Sequence, residues 1–451
     1  MTFALGEKVK HDSLGVGVIR EFRYSGYQAM VSFETVDMWI PAINLQKTVR
    51  TPSKVVRGSG RLNSHLPPGE NYFLRTVIES MRLGIVPDGG LQDWTVGRDR
   101  EFGQVDQWLE DEAEGTLIAK GRYGSGKTHL LRHLAQRGLE QGFAVSLVRI
   151  DPGEENSSFP MRFYAQVMRN LQVPSGDSTS GIRETLNEIA TRRKRSSIDA
   201  HPFLGRLMRM IRLKQANDDD WRSLMGERST SRMFPTNLDF TTVANLACNL
   251  LSGISHALSH DLSLNGLLVL VDEVETAEIG RYSYHRKRTM NFLRGISLTA
   301  NDDDYLIEEV KKRPALGAHV GKETGLVYSG HHANIPYYYR FPSRLKIMLA
   351  LTDIPTNRKL RAWQADQSVV ELSNIETTAL VQLFNKFSAT YKKIHNIELP
   401  PGLEEWVFSD LLMEQYYSGS IRGFTRAMVE VFDFRRHYPD RSLKDIHDFG
   451  Y

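Results

Sequence analysis

The sequence predicts an α/β protein built on a parallel sheet, with a small β unit ahead of it and an all-helical domain behind it. Three observations carry this. Short apolar runs recur at Thr116–Ala119, Ala144–Asp151, Leu267–Val271, Leu345–Leu351 and Ser368–Leu372, with helical segments between them, the alternation of a sheet with crossovers. One run opens into Gly121-Arg-Tyr-Gly-Ser-Gly-Lys-Thr128 and then into the helix-forming His129–Gln136. From Glu376 onward, apolar residues recur at helical spacing (Leu380, Leu383, Phe384, Phe387; Trp406, Leu411, Leu412; Phe424, Met428, Val431, Phe432).

At the N-terminus, residues 1–50 read as four or five short strands with glycine turns: Lys8–His11, Val16–Ile19, Ala29–Phe33 and Met38–Ile40. That pattern predicts a compact SH3-like β-barrel, with Phe22, Tyr24, Tyr27 and Trp39 as core filling or an exposed aromatic platform. Residues 51–70 are rich in Pro, Gly and Ser and read as a linker. An amphipathic helix is expected from Tyr72 to Leu83, stopping at Gly84. The sheet domain then spans 71–375 and the helical domain 376–451. Lys127 and Asp272 lie 145 positions apart. One strand–helix unit needs far less, so a helical insertion is expected at about 155–260, of roughly 80–100 residues.

The chain of 451 residues suggests two to four domains, and its 41% hydrophobic and 25% charged residues are those of a globular protein. No apolar run approaches the ~18 residues of a membrane span, and the first residues lack the basic-then-apolar pattern of a secretory signal. A cytoplasmic protein without membrane contact is expected. The single cysteine, Cys248, excludes a disulfide or a cysteine zinc site within the chain and reads as a buried small hydrophobe. A net charge of +3 rules out a general polyanion binder. The densest basic stretch, Arg192-Arg-Lys-Arg195 followed by Arg206, Arg209, Arg212 and Lys214, is either a solvated helical face or a nucleic-acid patch, with Asp218-Asp-Asp220 near enough in sequence to neutralise it.

The stretch 121–128 is a G-x-x-x-x-G-K-[ST] phosphate loop in its strand–loop–helix setting. Gly121, Gly124 and Gly126 let the backbone turn tightly enough for the amides of Arg122, Tyr123 and Ser125 to face phosphate oxygens. The helix starting there adds its positive end. Lys127 is expected to reach the β- and γ-phosphates, and the Thr128 hydroxyl to ligate Mg²⁺. Leu267–Val271 reads as a strand buried on both faces, ending in Asp272-Glu273. Active sites of such sheets lie at the carboxyl ends of strands. Asp272 is therefore a candidate Mg²⁺ ligand and Glu273 the candidate base, with Glu275 in reserve. Leu345–Leu351 ends in Thr352-Asp353, where a polar group could sense the γ-phosphate or simply begin a turn.

Together these residues resemble the AAA+ ATPases, in the branch of the origin-recognition proteins. "TVGRDREF" (Val96, Gly97, Arg98, Glu101) resembles the family's adenine-side box. Thr352 or Asp353 falls at its first sensor, and "GSIRGFTRAMVEVFD" resembles its second-sensor helix, which would put Arg422 over the γ-phosphate. The long insertion departs from the pattern, as does the lack of a clear arginine finger; Arg281, Arg286, Arg288, Arg340 and Arg344 are all open candidates. A narrower resemblance covers most of residues 70–435. "FLRTVIESMRLGIVPDGGLQDWTVGRDREF", "GRYGSGKTHLL", with its Tyr123 and His129, and "LLVLVDEVE" are similar to the ATP-binding proteins of BREX-type phage-defence islands. The N-terminal "GEKVKHDSLGVGVI" resembles the Tudor/SH3-like docking modules of bacterial repair helicases.

These resemblances imply ATP and Mg²⁺ as cofactors, residues 121–129 with Val96 and Gly97 as the nucleotide site, and Lys127, Glu273, Thr352 and Arg422 as the catalytic set. They also imply an ATP-dependent homo-oligomer acting on DNA or on a DNA-acting partner such as a helicase or methyltransferase. Two readings follow. One is a remodelling ATPase; the other is a nucleotide-gated switch or scaffold with slow turnover.

Overall fold

The computed structural model describes residues 8–11, 15–23, 28–32, 37–41, 46–47, 70–85, 91–150, 160–176, 178–227, 229–231, 243–278, 283–312, 317–328, 332–352, 363, 366–399, 402–403, 407–408 and 420–441. The chain divides into two compact units, residues 1–67 and 68–451. Among the described residues no helix is long and apolar enough to cross a membrane.

The first unit is a five-stranded antiparallel sheet. Its strands are β1 (Lys8–His11), β2 (Gly15–Arg23), β3 (Gln28–Ser32), β4 (Asp37–Pro41) and β5 (Gln46–Lys47), in the order β4-β3-β2-β1-β5. The return of β5 to β1, with Val9 opposite both Gly17 and Lys47, gives β1 a partner on each side. Val9, Ile19, Ala29 and Val31 are wholly buried, as alternating apolar residues on half-buried strands should be. Of the four aromatic residues considered for a platform, Phe22 and Trp39 lie on β2 and β4. Tyr24 and Tyr27 lie outside the described residues, as does the 51–69 stretch read as a linker.

The second unit begins with α1 (Glu70–Leu83), α2 (Asp99–Glu110), β6 (Thr116–Lys120), α3 (Lys127–Glu140) and β7 (Ala144–Arg149). The insertion follows as α4 (Pro160–Arg169), the hairpin β8 (Val173–Ser175) and β9 (Ser178–Ser180), α5 (Ile182–Arg192), α6 (Leu204–Arg212), α7 (Asp218–Leu224) and α8 (Ala244–Leu262). Then come β10 (Leu267–Asp272), α9 (Ser283–Ala300), α10 (Asp304–Lys312), the short pair β11 (His319–Val320) and β12 (Val327–Tyr328), β13 (Leu345–Leu351) and β14 (Ser368–Glu371). Two long helices close the unit, α11 (Thr377–His395) and α12 (Ile421–His437).

The central sheet has the order β14-β6-β13-β10-β7, and every pairing is parallel. The continuous apolar strands are explained by burial on both faces. Ile118, Val148, Val269, Val271 and Ile347 point into one core with α4, α8 and α9. Leu117, Ala119, Leu268, Leu270, Met348 and Val370 point into another with α2 and α3. Each such Val, Leu, Ile or Met side chain contributes roughly 1.5–3 kcal/mol when fully buried. The insertion is thus partly core: α8 packs on β10 and β13, and Cys248 within it is wholly buried, as expected of a small hydrophobe.

A third apolar cluster joins α1 to the C-terminal helices, with Val77, Ile78 and Met81 against Leu380, Phe387, Phe424, Met428 and Phe432. Arg82 of α1 bonds to Asp433 of α12, and Tyr391 of α11 donates to the same carboxylate at 2.6 Å. The helical lid therefore includes α1, more than 290 residues distant in sequence from α11. Trp406, Leu411 and Leu412 lie outside the described residues.

Candidate active site

The phosphate loop leaves β6, which lies between β14 and β13 in the sheet. Gly124 and Gly126 stand at φ +76° and +99°, left-handed conformations that a Cβ disfavours. The Gly121 amide donates to the Leu351 carbonyl at 3.3 Å, fixing the loop to the tip of β13. Lys127 is 8% exposed, and its ammonium donates to the Gly121 and Arg122 carbonyls at 2.9 and 3.0 Å and to the Thr352 hydroxyl at 2.9 Å. Burial holds its pKa below the usual lysine value, while Glu275, Asp272 and Glu273 pull the other way and Arg422 adds to the lowering. Thr352 is thus brought to Lys127 because β13 pairs directly with β6. Asp353 lies outside the described residues.

Asp272 ends β10, one strand further on. Its Oδ2 accepts from the Thr128 hydroxyl at 2.7 Å and its Oδ1 from the Glu273 amide at 3.0 Å. Burial raises the carboxyl's pKa, and the Thr128 bond opposes that rise. Glu273 has φ +59°, and its Oε1 accepts from Arg149 Nη2 at 2.6 Å across the β7–β10 edge. The turn Val274–Glu278 follows, with the Thr276 hydroxyl bonded to the Ile150 and Glu273 carbonyls at 3.1 and 2.7 Å.

The segment Thr95–Glu101 lies against the loop. Arg98 is buried and donates to Glu101 at 2.6 Å, to the Ser373 carbonyl at 2.8 Å and to the Ser125 carbonyl of the phosphate loop at 2.7 Å. Gly97 stands at φ +62° with Ala379 of α11 close by. The Thr95 hydroxyl lies 2.6 Å from His129 Nε2, and burial pushes that imidazole down to about 4, so it is neutral at pH 7.

The lid reaches the loop through the start of α12. Ser420 caps that helix by accepting from the Gly423 amide at 3.2 Å, and its hydroxyl lies against Gly124. Arg422 Nη1 donates to the Tyr123 hydroxyl at 2.6 Å with the guanidinium stacked on the ring. Between loop and lid is a cavity of about 370 Å³, lined by residues 123–130, Asp272, Glu273, Glu275, Thr352 and Arg422 at its polar end. Met81, Ile85, Trp94, Val96 and Leu383 line its apolar end. Gly97, Gly121 and Arg122, also predicted for the nucleotide site, are not among the residues that line it.

Sequence reasoning missed Arg149, Thr95 and the α1 contribution to the cavity. Arg149 was visible only as the last residue of a strand, with nothing to link it to Glu273 before the β7–β10 register was known. The finger candidates do not converge on the cavity. Arg344 pairs with Glu112 at the opposite end of β13, Arg340 lies over the Tyr339 ring, and Arg288 over Tyr284. Arg286 is exposed, and Arg281 lies outside the described residues.

The residues fit a nucleoside triphosphate with a divalent metal. A buried ammonium and a helix start supply positive charge, while a hydroxyl and a carboxylate 2.7 Å apart are the hard oxygen donors Mg²⁺ takes alongside its waters. The parallel sheet, the phosphate loop at the end of one of its strands and the helices that close on that loop are the parts expected of the AAA+ class. Residues 72–201, which include the box and the loop, match the family of BREX system ATP-binding proteins BrxC/D. No curated protein matches the chain. Among solved structures it is similar to AMPPCP-bound DnaA from Aquifex aeolicus, at 12% identity over 79% of this chain and 74% of that one, with a TM-score of 0.30.

Proposed function

We propose that the protein binds ATP with Mg²⁺ between phosphate loop and lid, hydrolyses it, and uses the cycle to act on DNA or a DNA-processing partner in BREX-type defence. The observation that carries this is the convergence of Lys127, Thr128, Asp272 and Thr352 within hydrogen-bond reach at the start of α3. Lys127 exchanges its loop carbonyls for the β- and γ-phosphates, and the amides of residues 122–126 receive the remaining phosphate oxygens. Thr128 and Asp272 hold Mg²⁺, which when bound neutralises charge on the phosphates. Thr352 donates to the γ-phosphate end from the β13 tip. Arg422 approaches from the lid, where a guanidinium couples lid angle to nucleotide state. A carboxylate beyond Asp272 takes the proton of the attacking water, the duty the sequence assigns to Glu273 with Glu275 as its alternate.

Phosphate release measured with and without double-stranded DNA tests this reading: turnover in the parent protein, raised by DNA, is expected. The second reading, a slow switch or scaffold, is favoured by the Arg149–Glu273 ion pair, which engages one acidic residue away from the phosphates. Low turnover that DNA leaves unchanged, with a mass increase on adding a non-hydrolysable ATP analogue, would support the switch and an ATP-dependent homo-oligomer.

A further inference from the structure

Residues 192–214 hold eight Lys or Arg and a single carboxylate, Asp199, for a net charge of +7. The whole chain carries only +3, so the rest of it sums to −4 and is opposite in sign to this stretch. The structure sorts the eight cations. Arg192, Arg193 and Arg212 are used within the protein, against Glu188, the Asp261 carbonyl and Asp199. Lys194, Arg195, Arg206, Arg209 and Lys214 are exposed, and their side chains meet no carboxylate or other acceptor among the described residues. The acidic triplet near them in sequence is taken up elsewhere. Asp218 pairs with Arg183 at 3.0 Å, Asp219 accepts from the Thr230 hydroxyl at 2.6 Å, and Asp220 accepts from the Ser231 hydroxyl at 2.6 Å.

The backbone gathers the five free cations around α6. Arg206 and Arg209, three positions apart, share the outer face of that helix, away from the buried Leu204, Leu207 and Met208. Asp199 accepts from the Ser196 amide at 3.0 Å and from Arg212 at 2.8 Å, which ties the turn after Lys194 and Arg195 to the last turn of α6. Lys214 ends the same helix at φ +55°. Its amide donates to the Ile211 carbonyl and the Gln215 amide to the Met210 carbonyl, both at 2.9 Å, so it fills the left-handed capping position that glycine usually takes. A lysine held in that strained conformation, with no contact for its ammonium, points to a use outside the protein.

Unpaired cations crowded on one face repel each other, and a polyanion relieves that repulsion. Guanidinium and ammonium groups without carboxylates between them suit a row of phosphates. Single-strand sites depend on aromatic platforms for base stacking, whereas the one Phe, Tyr or Trp in this stretch, Phe203, is half-buried. We infer that the α5–α6 surface binds the phosphate backbone of double-stranded DNA without reading its sequence; this rests on the DNA-acting reading put forward above and gives it a place on the molecule. None of the five cations lines the nucleotide cavity, so mutation can separate the two sites.

The test follows a labelled random-sequence duplex by fluorescence anisotropy against the full chain, from about 50 to 200 mM salt. In the parent, log affinity should fall linearly with log salt. Lys194→Gln, Arg195→Gln, Arg206→Gln, Arg209→Gln and Lys214→Gln combined should make that slope shallower by about 3–5 and cost at least about 100-fold in affinity at the low-salt end. Melting temperature and binding of a fluorescent ATP analogue should stay parental. Lys214→Gly keeps the test decisive if the combined variant misfolds. Glycine takes the left-handed position without strain, so this protein should melt no lower than the parent while its slope falls by about one. Parental affinity and slope in these variants would overturn the assignment and leave the DNA reading standing. No duplex binding by the folded parent would overturn both. Stronger competition by poly-glutamate than by unlabelled duplex would make the occupant an acidic protein, and tighter binding of single-stranded DNA would remove the duplex; either result overturns the inference.

Discussion

The Arg422 guanidinium lies 4.9 Å from the centre of the Tyr123 ring and donates to that ring's hydroxyl at 2.6 Å. One residue belongs to the lid helix and the other to the phosphate loop, so the pair joins the two walls of the cavity. Tyr123 is 73% exposed, and an exposed cation–π pair contributes only about 0.5–1 kcal/mol to stability. Its effect should therefore appear in the nucleotide cycle. Arg422→Ala is expected to lower turnover by about 10- to 100-fold with little change in melting temperature. Tyr123→Phe, which keeps the stack and loses the hydroxyl acceptor, should have the smaller effect. Phosphate release and thermal melts on both variants check this.

Gly124 allows a second lid contact. It sits at φ +76°, and a Cβ there would collide with the Ser420 hydroxyl that caps α12. Gly124→Ala must strain the loop and displace either the cap or the lid. We expect a loss of roughly 1–2 kcal/mol in denaturant unfolding together with weaker binding of an ATP analogue. Unchanged stability and unchanged binding would show that the lid does not rest on the loop at this point.

Much of this was legible beforehand, for identifiable reasons. A strand buried on both faces must be apolar throughout, so Leu267–Val271 and Leu345–Leu351 were visible as unbroken runs, and the loop glycines mark a backbone no other residue adopts easily. What sequence could not give was lateral order. That β13 lies between β6 and β10, bringing Thr352 to Lys127, depends on pairings distant in sequence. The basic stretch was similarly ambiguous. In the structure Arg192 pairs with Glu188 at 2.8 Å, Arg193 donates to the Asp261 carbonyl at 3.0 Å and Arg212 pairs with Asp199 at 2.8 Å. These internal uses give those three residues the solvated-face reading. The acidic triplet at 218–220 forms the first turn of α7, where the Asn217 side chain caps the Asp219 and Asp220 amides.

Arg98 supports the loop from within the protein, and its removal would leave Glu101 buried without its cation. Arg98→Met is expected to cost about 3–5 kcal/mol and to weaken nucleotide binding, because the Ser125 carbonyl loses its donor. Denaturant unfolding and analogue titration should move together. A stable variant with parental binding would mean the loop holds its shape without this contact.

Acid should destabilise the protein through its buried histidines. His201 Nδ1 accepts from the Phe203 and Leu204 amides at the start of α6, and burial pushes the imidazole down to about 4. The unfolded chain binds this proton first, so the contribution is complete above about pH 6.5 and is lost as pH falls toward 4. Between pH 7 and pH 5 the loss attributable to His201 is on the order of 1–2 kcal/mol. His201→Asn, which keeps a capping acceptor that does not titrate, should flatten that part of the urea-midpoint profile. A profile as steep as the parent's would assign the acid sensitivity to other groups.

The most direct test of the whole account is a binding titration of the full chain with a fluorescent ATP analogue and Mg²⁺, run beside Lys127→Ala. The account predicts saturable, Mg²⁺-dependent binding by the parent and a loss of at least about 100-fold in the variant, because the charge that meets the β- and γ-phosphates is gone. Equal affinity in the two proteins, or no binding by the folded parent, would contradict it.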